Sequence, residues 1–311
     1  MQTAREVLTP DALALLQAVA QSGSFAAAAR ELGVVPSAVT YRIRQIEDAL
    51  DVLLFDRSSR QARLTDAGAE LLREGGRLLL EIDAVANRVK RVATGWESQL
   101  TLAVDTVISF ATVMELAQAF FALAPTTRLR LRDESLSGTL EALTSGQADL
   151  ALGLAVEAAN AAGIQSRTLG EVVFVYAVAP HHPLAGIGGV LKDDLLQKHR
   201  AIAVSDSVQR GTALTLGLLA GQDVLTVPTM RAKLDAQLRG LGGGFVPEPM
   251  ARPYIESGRL VVKEVQRSSR VVRLSYAWRA SDSPGRALQW WLGQLESPAT
   301  RRALLEQHVR A

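Results

Sequence analysis

The sequence predicts an α+β multidomain chain: an N-terminal winged helix-turn-helix, one long helix, and a larger α/β domain. Three observations predict it. Within the first 65 residues, short amphipathic segments joined by a tight glycine turn are followed by a brief β-prone hairpin. Through residues 66–94 an apolar residue returns every seven positions. From residue 99 onward, β-prone runs alternate with helical ones.

The elements follow in order. Thr9-Pro10-Asp11 supplies an N-cap, a first-turn proline and an acid at the positive end of a helix dipole. Leu13, Leu16 and Ala20 then repeat at helical spacing. Gly23 closes that helix, Ser24 caps a second over 25–32, and Gly33 ends it. A third helix starts near Pro36-Ser37. Stepping about 100° per residue from Val39 places Ile43, Ile46 and Leu50 on one buried face. Ser37, Tyr41, Arg44 and Asp48 point the opposite way, with Thr40 and Arg42 on the flanks. Residues 53–57 and 62–65 read as short strands with Ser58-Ser59-Arg60-Gln61 at the tip, which is a wing.

In the long helix, Leu71, Leu78, Val85 and Val92 form one seven-residue row, and Ile82 and Val89 a second. This is a coiled-coil seam able to hold a dimer. Gly75-Gly76 interrupts it at roughly 1 kcal/mol per glycine against alanine, so a bend or loose first turn is expected there. Thr94-Gly95 marks the boundary. Strands are expected at 101–104, 129–131, 150–152, 172–178, 201–204, 224–227, 244–246, 260–262 and 271–276, with a helix at 113–121, one ending in Ser145-Gly146, and later helices that include 230–239 and 286–295. The alternation implies mostly parallel sheets of the doubly wound kind.

Composition narrows the function. The 311 residues, 48% apolar and 21% charged, suit about two ordinary domains. No stretch approaches the roughly 18–20 apolar residues of a membrane span. Glu6 and Asp11 interrupt any signal-peptide layout, so a cytoplasmic protein is expected. The absence of cysteine excludes disulfides, thiolate metal sites and a cysteine nucleophile. Lys+Arg 34 against Asp+Glu 32 leaves only +2, and residues 1–66 hold seven arginines and eight acids. Nucleic-acid binding therefore cannot rest on bulk basicity and needs a local cluster. Aromatics at 5% argue against a base-stacking single-strand binder.

The third helix offers that cluster. Hydroxyls and guanidiniums on its N-terminal half suit the major groove, and Arg57, Arg60 and Arg63 of the wing would track backbone or minor groove. The alternative is a solvated face on a protein-interaction module of the same shape.

A run of residues carries a more specific signal. Gly23-Ser24-Phe25-Ala26-Ala27-Ala28-Ala29 through Leu32, Pro36-Ser37-Ala38-Val39-Thr40, Ile43, Ile46-Glu47, Leu50, Leu54-Phe55-Asp56-Arg57 and Leu64-Thr65-Asp66-Ala67-Gly68 resembles the LysR-type transcriptional regulators, without a gap over about 45 residues. The resemblance covers essentially the whole chain, with most of its weight in the first 65 residues. It implies a winged helix-turn-helix over 1–65, a linker and dimerisation helix over 66–95, and a two-lobed effector-binding domain over 96–311. Lobe I would take about 96–166 and 268–311, and lobe II about 167–267. The implied partners are double-stranded promoter or operator DNA with a pseudo-palindromic site, a small-molecule effector, a second copy in a dimer and then a tetramer, and RNA polymerase. No cofactor, metal, membrane or enzyme activity is implied. The DNA-binding residues would be Ser37, Thr40, Tyr41, Arg42, Arg44, Arg57 and Arg60. Two positions depart: the family commonly has Gln where this chain has Pro36, and Arg or His where it has Tyr41.

Effector domains of this kind hold their ligand between the lobes, at strand ends. Here the first strand ends in Asp105-Thr106-Val107-Ile108-Ser109 before a helix, whose N-terminus could hold an anion. Asp105 favours a ligand hydroxyl or amine instead. Ser135 and Ser137 sit at the next strand-to-helix turn, and Ser205-Asp206-Ser207 follows a strand across the cleft. Gly242-Gly243-Gly244-Phe245-Val246-Pro247 resembles the family's glycine-rich strand and proline. The candidates are thus Asp105, Thr106, Ser109, Ser135, Ser137, Ser205, Asp206, Ser207, Phe245 and Pro247, although Ser and Asp in such places also serve as plain helix caps. Hydroxyls with one or two acids and few cations lean toward an aromatic or hydroxylated acid, with Arg210 the nearby cation for a carboxylate.

Other motifs carry less. His181-His182 lacks the companions of a metal site. Gly240-Leu241-Gly242-Gly243-Gly244 follows a helix and fails the context of a dinucleotide loop. No Walker lysine motif, Gly-x-Ser-x-Gly elbow or His-Glu-x-x-His is present. Trp290-Trp291 reads as lobe packing. A binding protein or enzyme whose first domain merely associates would need a catalytic constellation or an export signal, and a purely structural DNA-binding protein would leave the α/β half without a role.

Overall fold

A computed structural model describes residues 3–56, 62–123, 125, 127–155, 163–208, 217–266, 270–280 and 284–308. The chain divides into two compact units, Met1–Val89 and Lys90–Ala311.

The first unit contains α1 (Ala4–Val7), α2 (Pro10–Ser22), α3 (Phe25–Glu31), α4 (Pro36–Leu50), β1 (Phe55–Asp56), β2 (Arg63–Leu64) and most of α5 (Asp66–Thr94). Thr9 Oγ1 accepts from the Ala12 amide at 3.3 Å and Ser24 Oγ from the Ala27 amide at 3.0 Å, each satisfying a donor that the first helical turn leaves unpaired. Gly23 and Gly33 both take φ 68°, a left-handed conformation that strains any residue with a Cβ, and these two residues make the turns between α2, α3 and α4. Leu16, Val19, Ala28, Ala29, Val39, Ile43, Ile46, Leu54 and Phe55 form the core, with Phe25 edge-on to Phe55 at 5.2 Å. Phe55 pairs with Leu64 and Asp56 with Arg63 in an antiparallel ladder. The expected hairpin tip, with Arg57 and Arg60, lies outside the described residues.

The helix α5 runs without a break from Asp66 to Thr94, through Gly75-Gly76. The glycines serve packing: a Cβ on Gly75 would lie 2.8 Å from Leu13 Cδ2, and one on Gly76 3.2 Å from Gln17 Nε2. Their loss of helix propensity is offset by the close approach of α2. At the start of α5, Thr65 Oγ1 donates to the Leu53 carbonyl at 2.6 Å and accepts from the Gly68 amide at 3.0 Å. A Cβ on Gly68 would overlap the Leu54 carbonyl oxygen, which explains why Thr65-Asp66-Ala67-Gly68 ends the wing.

The second unit is built on one long mixed sheet. Its first half holds β3 (Gln99–Asp105), α6 (Phe110–Ala122), β4 (Arg128–Glu134), α7 (Gly138–Thr144) and β5 (Leu150–Leu154). The strand β6 (Ile164–Val178) crosses to α8 (Asp193–Leu196), β7 (Ala201–Val204), β8 (Val224–Val227), α9 (Met230–Leu238), β9 (Gly244–Pro247), α10 (Glu248–Glu256) and β10 (Val261–Lys263). The strand β11 (Arg270–Arg279) returns, followed by α11 (Arg286–Glu296) and α12 (Pro298–Glu306). The sheet order is β10-β6-β11-β5-β3-β4, with β9 on β6 and β7-β8 a separate pair.

The expectation of mostly parallel sheets is corrected here. Among the described residues, the parallel ladders are β3 with β4 and β5, and β7 with β8, with isolated parallel bridges at Leu191–Val265 and Ala201–Gly243. Every pairing of β6 and β11 is antiparallel. A chain that leaves one lobe on a 15-residue strand and returns on a 10-residue one lays the two crossings side by side in opposite directions. The first lobe's core gathers Val104, Val113, Phe120, Leu150, Leu152 and Trp291. Phe120 packs against Trp290 and Trp291 at ring distances of 5.3 and 6.2 Å. Tyr176, Val178, Leu184, Leu191 and Leu196 form a smaller core in the second lobe.

Candidate nucleic-acid interface and ligand site

The helix α4 divides cleanly by face. Val39, Ile43 and Ile46 are buried, while Ser37, Tyr41, Arg42 and Arg44 are exposed, Tyr41 at 63%, and Thr40 is half-buried. Pro36 occupies the first turn, where its missing N–H costs nothing. Thr40 Oγ1 donates to the Pro36 carbonyl at 3.1 Å, which leaves its lone pairs free to accept. Val35, at the N-cap, adds an exposed apolar side chain beside these hydroxyls and guanidiniums. The helical-wheel reading missed Glu47, which is buried and accepts from the Leu54 and Phe55 amides at 2.8 and 3.4 Å. That carboxylate ties the far end of α4 to the start of the wing, so the exposed face is held rigidly relative to β1.

The candidates of the second unit fall into three groups. The first is a seam between the lobes. Asp105, buried at the end of β3, accepts from the Val107 and Leu136 amides at 2.9 and 3.0 Å and from Thr139 Oγ1 at 3.3 Å. Leu136 holds φ 56°, an uncommon strained conformation for a bulky residue, and it turns Ser135 and Ser137 toward the other lobe. Thr106 Oγ1 accepts from the Met230 amide and meets Ser135 Oγ at 3.2 Å, and Ser135 Oγ donates to the Pro228 carbonyl at 3.3 Å. Ser207 Oγ accepts from the Ser135 amide at 2.9 Å and donates to Glu134 Oε2 at 2.7 Å. Ser137 Oγ donates to Asp206, whose other oxygen accepts from the Gly138 and Val208 amides. Ser205 Oγ stays on its own side and donates to the Val227 carbonyl at 3.4 Å. Burial pushes the Asp105 carboxyl up to about 7, against the three hydrogen bonds that favour its charged form, and the Asp206 charge adds to the rise.

A second group lies away from the seam. Ser109 is fully buried, caps α6 through the Thr112 amide at 3.2 Å and donates to the Gln307 carbonyl. Pro247 is buried at the N-cap of α10, paired across β6 with Phe174. Arg210 lies outside the described residues.

Phe245 belongs to the third group, a cavity inside the second lobe. It is walled by α8, β7, residues 217–222, α9 and β9. About 450 Å³ of non-atom space lies here, mouth included. Sequence reasoning missed two of its residues. Lys233, on α9, is only 6% exposed, and burial lowers its ammonium to about 8. Tyr176, on β6, is equally buried, and burial pushes its hydroxyl up to about 12. A signal for Lys233 existed: it falls on the same helical face as Met230 and Gln237, both buried. Gln237 Nε2 donates to the Ala177 and Gly244 carbonyls at 3.0 and 2.7 Å, fixing α9 across β6 and β9. The Gly242-Gly243-Gly244 run permits these approaches: Cβ atoms would come within 2.5 Å of the Arg200 carbonyl oxygen at Gly242 and of the Tyr176 hydroxyl at Gly243.

His182 is structural, its Nδ1 accepting from the Leu184 amide at 3.2 Å. Among the described residues no three His, Asp or Glu side chains gather where a metal could sit, and no single helix is long and apolar enough to cross a membrane.

Known proteins match along nearly the whole chain. The LysR substrate binding domain matches residues 93–298, and the bacterial regulatory helix-turn-helix protein of the lysR family matches residues 10–69. The chain is 38% identical over 289 residues to the probable HTH-type transcriptional regulator YhaJ of Escherichia coli strain K12, covering 93% of this chain and 96% of that one. It is 33% identical over 290 residues to the HTH-type transcriptional regulator PunR of the same strain, covering 93% of each. Among solved structures, full-length CbnR in complex with its target DNA aligns with a TM-score of 0.59 at 19% identity, over 93% of this chain and 99% of that one. That last likeness is one of fold.

Proposed function

The chain belongs to the LysR family and is a DNA-binding transcriptional regulator with an effector-binding domain, not an enzyme; from that premise we propose how its parts act. Two copies join through α5 and set their α4 helices on the two halves of a pseudo-palindromic operator. Leu78, Ile82, Val85, Val89 and Val92 support this, because all are between 45% and 87% exposed along one helix. Leu71, the first member of that row, instead packs against the first unit's core. Two such dimers form a tetramer that contacts RNA polymerase in the cytoplasm.

The observation that carries the reading is the exposed face of α4. Ser37, Thr40, Tyr41, Arg42 and Arg44, with Arg57 and Arg60 of the wing, contact the DNA. Arg44→Ala is expected to weaken binding to all sequences by loss of a phosphate contact, and Tyr41→Ala to change sequence preference. Equal loss on operator and random DNA for Tyr41→Ala would contradict the second expectation.

The effector acts at the seam between the lobes. Because its hydroxyls and carboxylates saturate one another, a ligand entering there exchanges their mutual bonds for its own and re-registers the lobes. Control of transcription follows if the effector binds the two arrangements with different affinities. The hydroxyl-rich lining, with its acids, leans toward an aromatic or hydroxylated acid.

The test is a footprint of the full-length protein on the DNA upstream of its own gene at two salt concentrations. One or more two-fold protected sites that fade as salt rises support the proposal. Diffuse, unsited protection or none would overturn it.

A further inference from the structure

We propose that α12 is a strap across the hinge between the lobes, fastened to the first lobe and seated against the second, and that it sets how readily the lobes move. The idea rests on the reading of the seam as the place where the lobes re-register, and it adds the element that governs that movement.

The sheet itself locates the hinge. On the first lobe's side, β5 pairs with β11 over Ser275–Trp278, and on the second lobe's side β9 and β10 pair with β6 over Phe174–Val178. Between these two stretches the ladder of β6 and β11 shifts register, from Leu274 opposite Gly170 to Ser275 opposite Thr168. Leu169 is the extra residue. A bulge of this kind bends its strand and interrupts the local ladder. The helix α12 lies over it, and Gly170 leaves the room: a Cβ there would lie 2.5 Å from Leu305 Cδ1. Leu304 and Leu305 are both buried. Beyond β6, α12 packs against α6 and α11 of the first lobe and against α10 of the second.

The attachments to the two lobes differ in kind. The end of a helix leaves carbonyls short of partners, and α12 presents carbonyls of its last turn, and of the residue after it, to the start of α6. The Leu304 carbonyl accepts from the Ser109 amide at 2.8 Å, the Ala303 carbonyl from Thr112 Oγ1 at 3.1 Å, and the Gln307 carbonyl from Ser109 Oγ. The negative end of one helix dipole thus meets the positive end of another. Toward α10 the shared surface is apolar, with Leu304 and Leu305 in one core with Met250 and Ala251. Hydrogen bonds are directional and hold α12 to the first lobe, whereas apolar packing is not and lets packed helices shear past each other in small steps. When the lobes move, α12 stays with α6, α10 slides along it, and the seat of Leu305 on Gly170 limits how far β6 bends.

The test is the distance between two spin labels, one on each lobe, in the full-length protein. The chain has no cysteine, so Thr144→Cys on α7 and Lys198→Cys after α8, both exposed, take the labels in a tagged copy co-expressed with an excess of unlabelled chain. Leu305→Ala is expected to broaden the distance distribution, or to shift it by about 2 Å or more, the scale of a domain rearrangement. Thr112→Val keeps the side chain's shape and loses its bond to the Ala303 carbonyl, so it should act in the same direction to a smaller extent, and it carries the test if Leu305→Ala fails to fold. Leu100→Ala, a buried change on β3 of the first lobe, should lower the melting temperature and leave the distribution as it was. A distribution unaltered by Leu305→Ala and Thr112→Val, or altered equally by Leu100→Ala, would reduce α12 to core packing and overturn the proposal. No DNA or effector enters this measurement, so its failure leaves the regulator reading to the footprint.

Discussion

The seam between the lobes and the cavity inside the second lobe are both polar places, built from opposite accounts of their hydrogen bonds. At the seam, Ser207 Oγ accepts from the Ser135 amide and donates to Glu134, and Ser137 and the Gly138 amide both reach Asp206. In the cavity, Lys233 and Tyr176 present donors with no acceptor among the described residues. A saturated network stabilises an arrangement of the chain and must be broken before it can hold anything else. An unsaturated one costs stability until something arrives to complete it. The difference teaches that the same residue types stabilise the chain where their hydrogen bonds are mutually met and cost stability where they are not.

Four substitutions sharpen or break that contrast. The largest effect is expected from Asp105→Asn. The Asp105 carboxyl titrates near 7 in the folded chain against 3.8 as its ordinary value, so its contribution is full below about pH 3.8 and is lost as pH rises through about 7. The shift corresponds to about 4 kcal/mol as an upper bound. Denaturant melts of the variant should lack this fall between pH 4 and 7; identical pH profiles would remove Asp105 from the seam's energetics.

Lys233→Met comes next, with the opposite sign. Burial lowers the ammonium from 10.5 to about 8, so the cost is complete below about pH 8 and is relieved as pH rises toward 10.5. The variant should be more stable at pH 7 by up to about 3 kcal/mol, and the gap should close between pH 8 and 10.5. A destabilised variant would mean that the lysine has a partner after all. Ser207→Ala should cost about 1–3 kcal/mol by thermal melting, since it strips partners from the Ser135 amide and from Glu134. Tyr176→Phe removes the same kind of group and should change stability by less than about 0.5 kcal/mol, because its hydroxyl has no partner to lose. Equal costs for the two hydroxyl deletions would abolish the distinction between seam and cavity.

What was legible in the sequence tracks how local each signal is. Thr9-Pro10, Ser24 and Gly33 act on their own turns, and the α2 to α4 core repeats every three or four residues, so the first unit could be read almost residue by residue. Glu47 escaped because its partners belong to the wing. The Gly75-Gly76 pair was read as weakness because the approach of Leu13 is a tertiary fact. Strand existence was legible in the second unit, while strand direction was not: antiparallel pairing of β6 with β11 joins segments about a hundred residues apart. Among the helices that were not expected, α10 and α12 differ in kind. In α10, Pro249 and Pro253 disfavour a helix locally, yet the Glu248–Arg252 pair spans one turn at 2.6 Å. In α12, Ser297-Pro298 was a usable start signal, with Ser297 accepting from the Thr300 amide. Strand ends pointed to the seam residues, but their mutual saturation depends on both lobes at once. Lys233 and Tyr176 lie on different elements, and only the fold buries them.

The most direct test of the account is the footprint of the full-length protein and of its Tyr41→Ala variant on the DNA upstream of its own gene. The account predicts two-fold protected sites for the unchanged protein and a changed sequence preference for the variant, with affinity for random DNA kept. Equal loss on operator and random DNA would contradict it.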